Sequence, residues 1–341
     1  MPIWMEQKGP ESDVVISSRV RLARNYEDIP FPTVMGSEGA TQVIQKTRDA
    51  VEIEKEDGDY QFLPLQKCSV IERQVLIEKH LASPDLIKHY RRGALLLKKD
   101  ETVSIMMNEE DHLRLQCILP GFQLEEANRL VNELDDLIEV HTQYSFDEKI
   151  GYLTCCPTNA GTGMRASVML HLPALAMTGY VGLILQTINK IGLAVRGTYG
   201  EGSEALGNMY QISNQITLGN SEEDIIRNLV SSCSQVIEKE RAARITILKN
   251  SRIELEDRLF RSYGIFTNAR KMDSQEFMKL ISDVRLAVDV QLLPNLDRIK
   301  LNRLMIQAQS ANLQQLAGCE LSPDERDIKR ADLVRNTIGK E

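Results

Sequence analysis

Short apolar runs alternate with helical patterns over the first two thirds of the chain. A helix is predicted from Leu124 to Glu139, because apolar residues recur there at helical spacing: Leu130, Leu134, Leu137 and Ile138. Four other runs have the composition of strands: Val14 to Ile16, Ala94 to Leu97, Val103 to Met107 and Leu193 to Val195. This mixture predicts a sheet covered by helices up to about Leu218.

From about Ser221 onward the pattern becomes almost wholly helical. Ser221 and Asp224 predict a helix start, followed by the apolar positions Ile225, Ile226, Leu229 and Val230. A second stripe follows the i, i+3, i+4, i+7 spacing of an amphipathic helix and needs a partner surface: Phe277, Leu280, Ile281 and Val284. Signals for a helix start recur near the end of the chain. Ser322 is a candidate N-cap, Pro323 would occupy the first helical position, and Glu325 would complete a capping box. A final helix is therefore predicted to begin there.

Composition and charge narrow the classes of function. The 341 residues are 42% hydrophobic and 26% charged, as in ordinary globular proteins, and the formal net charge is −8. An acidic chain lacks the broad positive field of nucleic-acid and membrane binders, so neither partner is expected. No run of 18 uncharged apolar residues occurs, and Met1 to Pro10 lack the features of a signal peptide, which favours a cytoplasmic protein. The six cysteines show no CxxC spacing, so we expect reduced thiols without a zinc site or disulfides.

Arginines beside glycines, small polar residues or strand ends carry the candidate chemistry. The common nucleotide signatures, GxxxxGK[ST] and DFG, are missing. Four segments contain the arginines: SSRVR from Ser17, NEEDHLR from Asn108, GTGMR from Gly161 and RGTYGEG from Arg196. On a strand, Arg19 and Arg21 project to one face, ready for phosphate oxygens. Taken singly, each arginine is more commonly a surface residue, and Glu110 and Arg114 have the spacing of a helical ion pair.

These segments together resemble those of the phosphagen (guanidino) kinases, the family of arginine kinase and creatine kinase, from about Asp13 to Gly219. The resemblance implies an α+β fold, with a large, mostly antiparallel sheet flanked by helices in a catalytic domain over 1–250. An all-α regulatory or dimerisation domain would follow over 251–341. ATP is the implied phosphoryl donor, with Mg²⁺ held mainly by the phosphates and water. The implied ATP-binding residues are Ser17, Ser18, Arg19, Val20, Arg21, His80, Arg114, Arg165, Ala166, Ser167, Val168, Met169, Arg196, Gly197, Thr198, Tyr199 and Gly200.

The resemblance also implies three catalytic residues on the acceptor side: Glu110, Glu201 and Cys156. A guanidinium is a poor nucleophile, because its pKa lies above about 12 and its lone pairs are delocalised. Two glutamates would therefore orient it and draw off a proton. Cys156 would lie beside the guanidinium as a thiolate, without forming a covalent phospho-intermediate. Gln211 departs from the family pattern, since many phosphagen kinases have Asp at this point after the GEG-type loop.

Two features favour arginine in proteins as the substrate. Only sixteen residues precede Ser17, whereas kinases of free guanidino amino acids carry an additional helical domain there. The tail contains Arg326, Asp327 and Arg330 in an RDxxRA motif, which resembles the phosphoarginine-binding regulatory pocket of the bacterial protein-arginine kinases of the McsB type. That subfamily implies an activator protein and an ATP-dependent protease that receives the marked proteins. The apolar stripes before the motif also permit a dimer surface, so a homodimer is expected. We expect phosphoarginine bound at the motif to raise activity.

Three functions follow from these observations. The leading one is a protein-arginine kinase that marks accessible arginines for proteolysis. The others are a kinase of free arginine or another small guanidino compound, and a weakly catalytic phosphoarginine-binding regulator. Glu110, Glu201 and the five arginines of the quoted segments (Arg19, Arg21, Arg114, Arg165 and Arg196) are all present. Their presence counts against the weakly catalytic regulator.

Overall fold

The described residues form a large antiparallel sheet flanked by helices. The computed structural model describes residues 2–54, 59–197 and 205–339. Its strands are β1 (Val15–Arg24), β2 (Tyr60–Pro64), β3 (Ala94–Lys98), β4 (Val103–Met107), β5 (Leu113–Pro120), β6 (Phe146–Asp147), β7 (Gly151–Tyr152), β8 (Met164–His171), β9 (Leu193–Gly197) and β10 (Met209–Asn214). Eight of these described strands pair antiparallel in the order β2-β3-β4-β5-β1-β8-β10-β9, and β6 pairs with β7. The predicted α+β class is confirmed.

Helices precede, interrupt and follow the sheet. They are α1 (Ile3–Glu6), α2 (Ser37–Glu54), α3 (Val70–Glu78), α4 (Pro84–Lys88), α5 (Leu124–Glu139), α6 (Pro173–Met177), α7 (Val181–Lys190), α8 (Glu222–Asn250), α9 (Arg252–Asn268), α10 (Ser274–Asp289), α11 (Arg298–Gln307), α12 (Ser310–Ala317) and α13 (Pro323–Ile338). Helix α5 has the predicted bounds. The predicted caps are present, since Ser221 Oγ accepts from Asp224 N–H and Ser322 forms a capping box with Glu325. The helical character of the chain after Ser221 is therefore confirmed.

Alternating side chains give the sheet two different faces. One face is apolar and packs under α5 and α8, with β1 contributing Val20 and Leu22 and β8 contributing Ala166 and Val168. The opposite face carries the intervening residues of the same strands, among them Arg19, Arg21 and Arg165. Because successive residues of a strand point to opposite sides, the hydrophobic core fixes the face on which the arginines lie.

The last helices pack against the end of this polar face. Phe277, Ile281 and Val284 of α10 are buried in a cluster that also contains Ile16 of β1 and Ile118 of β5. The amphipathic stripe predicted on this helix therefore finds its partners in this cluster, which also includes residues of α9, α11 and α13. The division into domains at 250 and 251 stays a prediction.

Within the described ranges, no helix combines the length and the apolar character that crossing a lipid bilayer requires.

Candidate active site

Four predicted arginines meet on the polar face of the sheet. Arg21 on β1 is directly opposite Arg165 on β8, while Arg114 lies on β5 and Arg196 on β9. All four line a cavity of about 200 Å³. Its other lining residues are Ala23, Glu110, Cys156, Thr158, Asn159, Gly163 and Gln211. The structure thus brings together four cations, one of the predicted acids and the predicted cysteine.

Arg19 and His80 belong to an adjoining cavity. Arg19 lies two residues before Arg21 on β1, and both arginines line this second cavity of about 420 Å³ together with His80. Met169 and Ser167 of β8 are on the same side as Arg19, whose Nε donates to Ser167 Oγ at 3.4 Å. The second cavity therefore continues the row of cations away from Glu110.

Burial and mutual repulsion make the positive charges of the arginine cluster unfavourable for folding. The pKa of Arg19 is lowered to about 10, first by burial and then by the positive charges of Arg114 and Arg165. The pKa of Arg21 is lowered well below its usual value, first by burial and then by the positive charges of Arg19, Arg114 and Arg165. Arginine still keeps its proton at neutral pH. Arg21 Nε also has no hydrogen-bond acceptor among the described residues. The cluster is therefore suited to bind a multiply charged anion.

The NEEDHLR segment forms a turn between β4 and β5, which rules out the helical alternative for Glu110 and Arg114. Asn108 has a φ of 62° and donates its N–H to the carbonyl of His112, closing the turn at 2.9 Å. Arg114 donates to Glu109 at 2.7 Å and more weakly to Glu110 at 3.4 Å. Glu109 is buried and Glu110 is exposed to the cavity. Glu109, which was not among the predicted site residues, is thus the main partner of Arg114.

The pKa of Glu110 is raised. Partial burial is the largest cause, and the negative charges of Asp111 and Glu109 add to it while Arg114 opposes it. A carboxylate with a raised pKa is a stronger base than an ordinary glutamate.

The cysteine loop is fixed by Asp111. This buried carboxylate accepts from Cys155 N–H and from Asn25 Nδ2, both at 2.7 Å. Cys156 follows directly, with its Sγ 3.0 Å from Thr158 Oγ1. Asp111 and Asn25 were not predicted from the sequence, although Asp111 is part of NEEDHLR. Its role depends on contacts across more than forty residues of chain, which local spacing does not reveal.

His80 has a strained backbone with a φ of 60°. Its carbonyl accepts from Gln116 Nε2 at 2.8 Å, and its ring lies 5.7 Å from that of Trp4. Burial and the charge of Arg19 lower the pKa of His80 to about 4. The imidazole that faces the second cavity is therefore neutral at pH 7.

Four residues of the predicted nucleotide-binding segments have side chains that face away from both cavities, and their contact with the nucleotide stays a prediction. Val20, Ala166 and Val168 are fully buried in the core on the opposite face, so their side chains do not reach either cavity. Ser18 is buried as well, where its hydroxyl donates to the carbonyl of Gly121 and accepts from Gln123 N–H. Period-two alternation explains these differences, because the contiguous motifs include both faces of each strand. Ser17, by contrast, lies near Arg19 in a small extension of the second cavity.

The predicted regulatory motif lies on α13. Arg326 and Asp327 are half-buried. Arg330 is buried, and its guanidinium donates to the carbonyls of Ala308 and Met272 and to Asp327 Oδ1, at 2.9, 2.8 and 2.7 Å. With these donors in use, Arg330 anchors the helix, and the half-buried pair Arg326 and Asp327 is the part of the motif open to a ligand.

The predicted residues of the RGTYGEG segment lie at and after the end of β9. Gly197 is the last residue of that strand. Thr198, Tyr199, Gly200 and Glu201 lie outside the described residues.

Comparison with known proteins places this site in a family. Residues 42–243 match the family model for the ATP:guanido phosphotransferase C-terminal catalytic domain, and residues 252–341 match that for the C-terminal domain of the protein-arginine kinase McsB. Among solved structures, a duplicated taurocyamine kinase from Schistosoma mansoni with bound transition-state-analogue components is 26% identical with a TM-score of 0.61, over 71% of this chain and 36% of that one. A lombricine kinase is 25% identical with a TM-score of 0.59, over 70% of this chain and 68% of the other.

The chain belongs to the ATP:guanido phosphotransferases, the class to which the sheet and its arginine-lined cavities correspond. Curated relatives cover almost its full length. The protein-arginine kinase of Geobacillus stearothermophilus is 53% identical over 99% of this chain and 94% of the relative, and that of Bacillus subtilis (strain 168) is 52% identical over 98% and 93%. Within the class, the chain is therefore a member of the protein-arginine kinase family.

Proposed function

We propose that the two adjoining cavities form one phosphoryl-transfer site, with the acceptor guanidinium beside Glu110 and the nucleotide extending past Arg19 towards His80. As a protein-arginine kinase, the chain transfers the γ-phosphoryl group of ATP to arginine residues in proteins. The observation that carries the proposed site is the convergence of Arg21, Arg114, Arg165 and Arg196 with Glu110 and Cys156 around one cavity.

The arginines hold the phosphates and stabilise the charge of the transferring group. Phosphoryl transfer passes through a loose transition state in which negative charge spreads over the oxygens, and fixed cations stabilise that state. In the ligand-free protein, burial and repulsion lower the pKa of Arg19 and Arg21. A bound triphosphate relieves this repulsion, so the cost of holding the cations together in the fold is offset on binding.

The acids and the cysteine act on the guanidinium. Glu110, with Glu201, accepts hydrogen bonds from the guanidinium and aligns one terminal nitrogen with the γ-phosphorus. As the N–P bond forms and the bond to the β-phosphate oxygen breaks, a glutamate takes the proton from that nitrogen and ADP leaves. The raised pKa of Glu110 suits this role. Cys156, fixed through Asp111 and Cys155, contacts the same guanidinium.

Mg²⁺ enters as part of the substrate MgATP. Among the described residues, no group of three or more His, Cys, Asp or Glu is placed to hold a metal ion. A magnesium ion that keeps most of its ligands from phosphate and water fits such a site.

Substitution of Arg165, Glu110 and Glu201 tests the site. Wild-type protein and the variants Arg165→Lys, Glu110→Gln and Glu201→Gln would each be incubated with MgATP and an arginine-rich protein, and acid-labile phosphate would be measured. We expect Arg165→Lys to weaken ATP binding, and the glutamate variants to lose turnover by at least about a hundredfold while still binding ATP. Arg227→Lys, an exposed change on α8, is the matched control. Full turnover in both glutamate variants would contradict the assignment.

The substrate form is tested in the same assay. Protein and free arginine would be supplied separately at equal arginine concentration. Product on protein alone supports an open cleft that accepts a side chain projecting from a folded or unfolded chain. Product on the free amino acid alone would instead support the second candidate, a kinase of small guanidino compounds.

Phosphoarginine at the Arg326–Asp327 pair regulates the kinase in this proposal. A guanidinium can hold the phosphate and a carboxylate can pair with the substrate guanidinium. We expect added phosphoarginine to raise activity in the wild type and in Lys329→Ala, an exposed change on the same helix. Arg326→Ala and Asp327→Asn should abolish the increase, and unchanged activation in both would refute the proposal.

The physiological role completes the proposal. The kinase acts in the bacterial cytoplasm as a homodimer, and its phosphoarginine marks direct proteins to an ATP-dependent protease, with an activator protein assisting. Size-exclusion chromatography with light scattering tests the dimer. Degradation of a substrate by purified protease, with and without prior phosphorylation, tests the mark.

A further inference from the structure

One wall of the active-site cavity is an irregular segment, which we call the acceptor loop, residues 153–163. Four of its residues line the cavity: Cys156, Thr158, Asn159 and Gly163. The chain then enters β8, where Arg165 lines the same cavity. Because a loop of this kind lacks the hydrogen-bond ladder of a strand, its position depends on side chains that hold its carbonyl groups.

Arg24 holds the end of the acceptor loop from behind. It is the last residue of β1, is fully buried, and lies on the opposite face of the strand from Arg21. Its Nη1 donates to the carbonyl of Thr162 at 2.9 Å. A Cβ added at Gly163 would lie 2.6 Å from the same nitrogen. The backbone of the loop therefore packs directly on this guanidinium.

The guanidinium of Arg24 is itself fixed by two neighbours. Asp135 of α5 accepts from its Nε and Nη2 at 2.9 and 2.6 Å. The ring of Tyr152 is stacked 3.5 Å from its central carbon, and Tyr152 N–H donates to the carbonyl of Gly161 at 2.8 Å. A planar fork of donors can bond Asp135 and Thr162 at once, whereas the ammonium of a lysine is a single point of charge. The position of the loop is thus tied to α5.

Thr217 holds the middle of the acceptor loop. It follows β10 and is only 3% exposed. Its Oγ1 lies 2.9 Å from the carbonyl oxygen of Thr158 and 2.7 Å from that of Ala160, so the hydroxyl proton is shared between them. The side chains of Thr217 and Arg24 both lie behind the cavity wall rather than in it.

We propose that Arg24 and Thr217 are positioning residues of the kinase, which act through the acceptor loop to hold Cys156 and its neighbours at a fixed separation from Arg165. The inference rests on the proposed site, which assigns the acceptor guanidinium to this wall. A displacement of reacting groups by about 1 Å slows a reaction by up to about a hundredfold. Loss of either contact should therefore lower kcat much more than it weakens substrate binding.

Two substitutions test the contacts separately. Arg24→Lys keeps a positive charge beside Asp135 and loses the bond to Thr162, and Thr217→Val keeps the shape and removes the hydroxyl. Initial rates with an arginine-rich protein and MgATP would give kcat and KM, and titration calorimetry would give ATP affinity. We expect kcat to fall at least about tenfold in both variants, with KM and ATP affinity changed by no more than about twofold. Thr217→Ser retains the hydroxyl and should recover at least about half of the wild-type kcat.

Arg285 on α10 provides a matched control. It is also a buried arginine that donates to a backbone carbonyl, that of Ser12 at 2.9 Å, and it lies outside the acceptor loop. Arg285→Lys should lower the melting temperature as Arg24→Lys does, and leave kcat unchanged at a temperature well below melting. An equal fall of kcat in Arg285→Lys would overturn the proposal for Arg24, because general destabilisation would then explain both losses.

Other outcomes are equally decisive. Wild-type kcat in folded Arg24→Lys and Thr217→Val, or the same loss in Thr217→Ser as in Thr217→Val, would overturn the positioning role. If Arg24→Lys does not fold, the comparison of Thr217→Val with Thr217→Ser decides alone. Full turnover in Glu110→Gln together with unaltered ATP binding in Arg165→Lys would instead count against the proposed site itself.

Discussion

The partner of Arg19 is a neutral side chain. Arg19 Nη2 donates to Gln211 Oε1 at 2.9 Å, at the point where many phosphagen kinases have an aspartate. An amide orients the guanidinium without neutralising it, so the charge of the cluster remains available to the nucleotide. Gln211 therefore favours anion binding at the expense of the stability of the ligand-free protein.

The variant Gln211→Glu tests whether the neutral amide favours anion binding and lowers stability. A carboxylate beside Arg19 should stabilise the ligand-free protein by on the order of 0.5–1 kcal/mol, because the pair is partly solvated. It should also weaken ATP binding about fivefold through repulsion of the phosphates. Thermal unfolding and calorimetric titration measure the two effects. Gln211→Met removes the polar group without adding charge, and it should not reproduce the gain in stability.

The raised pKa of Glu110 predicts a particular pH dependence. A base acts in its deprotonated form, so a raised pKa moves the loss of activity on acidification to a higher pH than an ordinary glutamate would give. The acid limb of kcat/KM should therefore lie above the usual range of glutamate. Asp85 is exposed and contributes to the shift. Asp85→Asn should move that limb slightly to lower pH without changing the maximal rate, because Asp85 is the smallest of the causes. A wild-type limb within the usual range of glutamate would exclude Glu110 as the titrating group.

Single residues were predictable where local pattern carries the information. Alternation along β1 predicted that Arg19 and Arg21 share a face, and the structure confirms it. Asp111 was missed, because its partners Asn25 and Cys155 are distant in sequence. Glu109 was missed because helical spacing pairs Arg114 with Glu110, whereas the turn and strand of the fold pair Arg114 with Glu109, which also bonds the distant Ser83. Local spacing contains no signal for such contacts.

A capping contact joins α3 to α12. Helix α12 has no side-chain cap of its own, and the carboxylate of Glu78 accepts from two N–H groups of its first turn and from Asn312 Nδ2. A negative charge at a helix N-terminus is stabilised by the helix dipole as well as by these bonds.

Glu78→Ala should therefore loosen α12 from α3. We expect a loss of about 1–2 kcal/mol in the free energy of unfolding. Urea denaturation measures it, and faster hydrogen exchange at Ala311 and Asn312 would locate the effect. Glu72 caps its own helix and is not bonded to α12. If Glu72→Ala increased exchange at Ala311 and Asn312 as much as Glu78→Ala does, the joining role of Glu78 would be refuted.

Helix ends were predicted better than the turn before β5. Cap residues, such as Ser221 and Ser322, act through bonds within a few positions, so sequence reveals them. Glu110 and Arg114 have helical spacing, yet Arg114 lies on a strand. There the pairing of β5 with β1 and β4 outweighs the local pattern.

A buried histidine lies where the sheet meets the C-terminal helices. His171 at the end of β8 is 2.8 Å from Ser282 Oγ of α10, which also accepts from Asn208 Nδ2. Burial lowers the pKa of His171 well below its usual value, and the charges of Arg285 and Arg244 add to this shift. The histidine is therefore neutral in the folded protein.

Stability should fall on acidification because of this residue. Below about pH 6.5 the unfolded chain binds a proton that the folded chain does not, so His171 contributes a loss approaching about 1.4 kcal/mol per pH unit. Melting of wild type and His171→Gln between pH 7.5 and 5 measures the difference, with pH values chosen around the usual pKa of histidine, about 6.5. The other histidines are the same in the wild type and in His171→Gln, so their contributions to the pH dependence cancel in the difference. Parallel pH profiles would refute the prediction.

The architecture of the whole molecule was predictable only through the family. Alternating patterns indicate mixed strands and helices, but they do not give the strand order, since β1 pairs with β5 and β8, which are far away in sequence. The packing of α10 and α11 over the end of the polar face was not predicted. An apolar stripe shows that a helix needs a partner, and it does not identify which surface that partner is.

The strand that carries Arg19 and Arg21 has a neighbour along both edges. β1 pairs with β5 from Ser17 to Arg24 and with β8 from Val15 to Leu22. Amides in such a strand become accessible to deuterium only when much of the sheet opens. Arg19 and Arg21 should therefore lie on one of the slowest-exchanging segments of the chain, so partial unfolding at the periphery of the sheet would leave these two arginines in place.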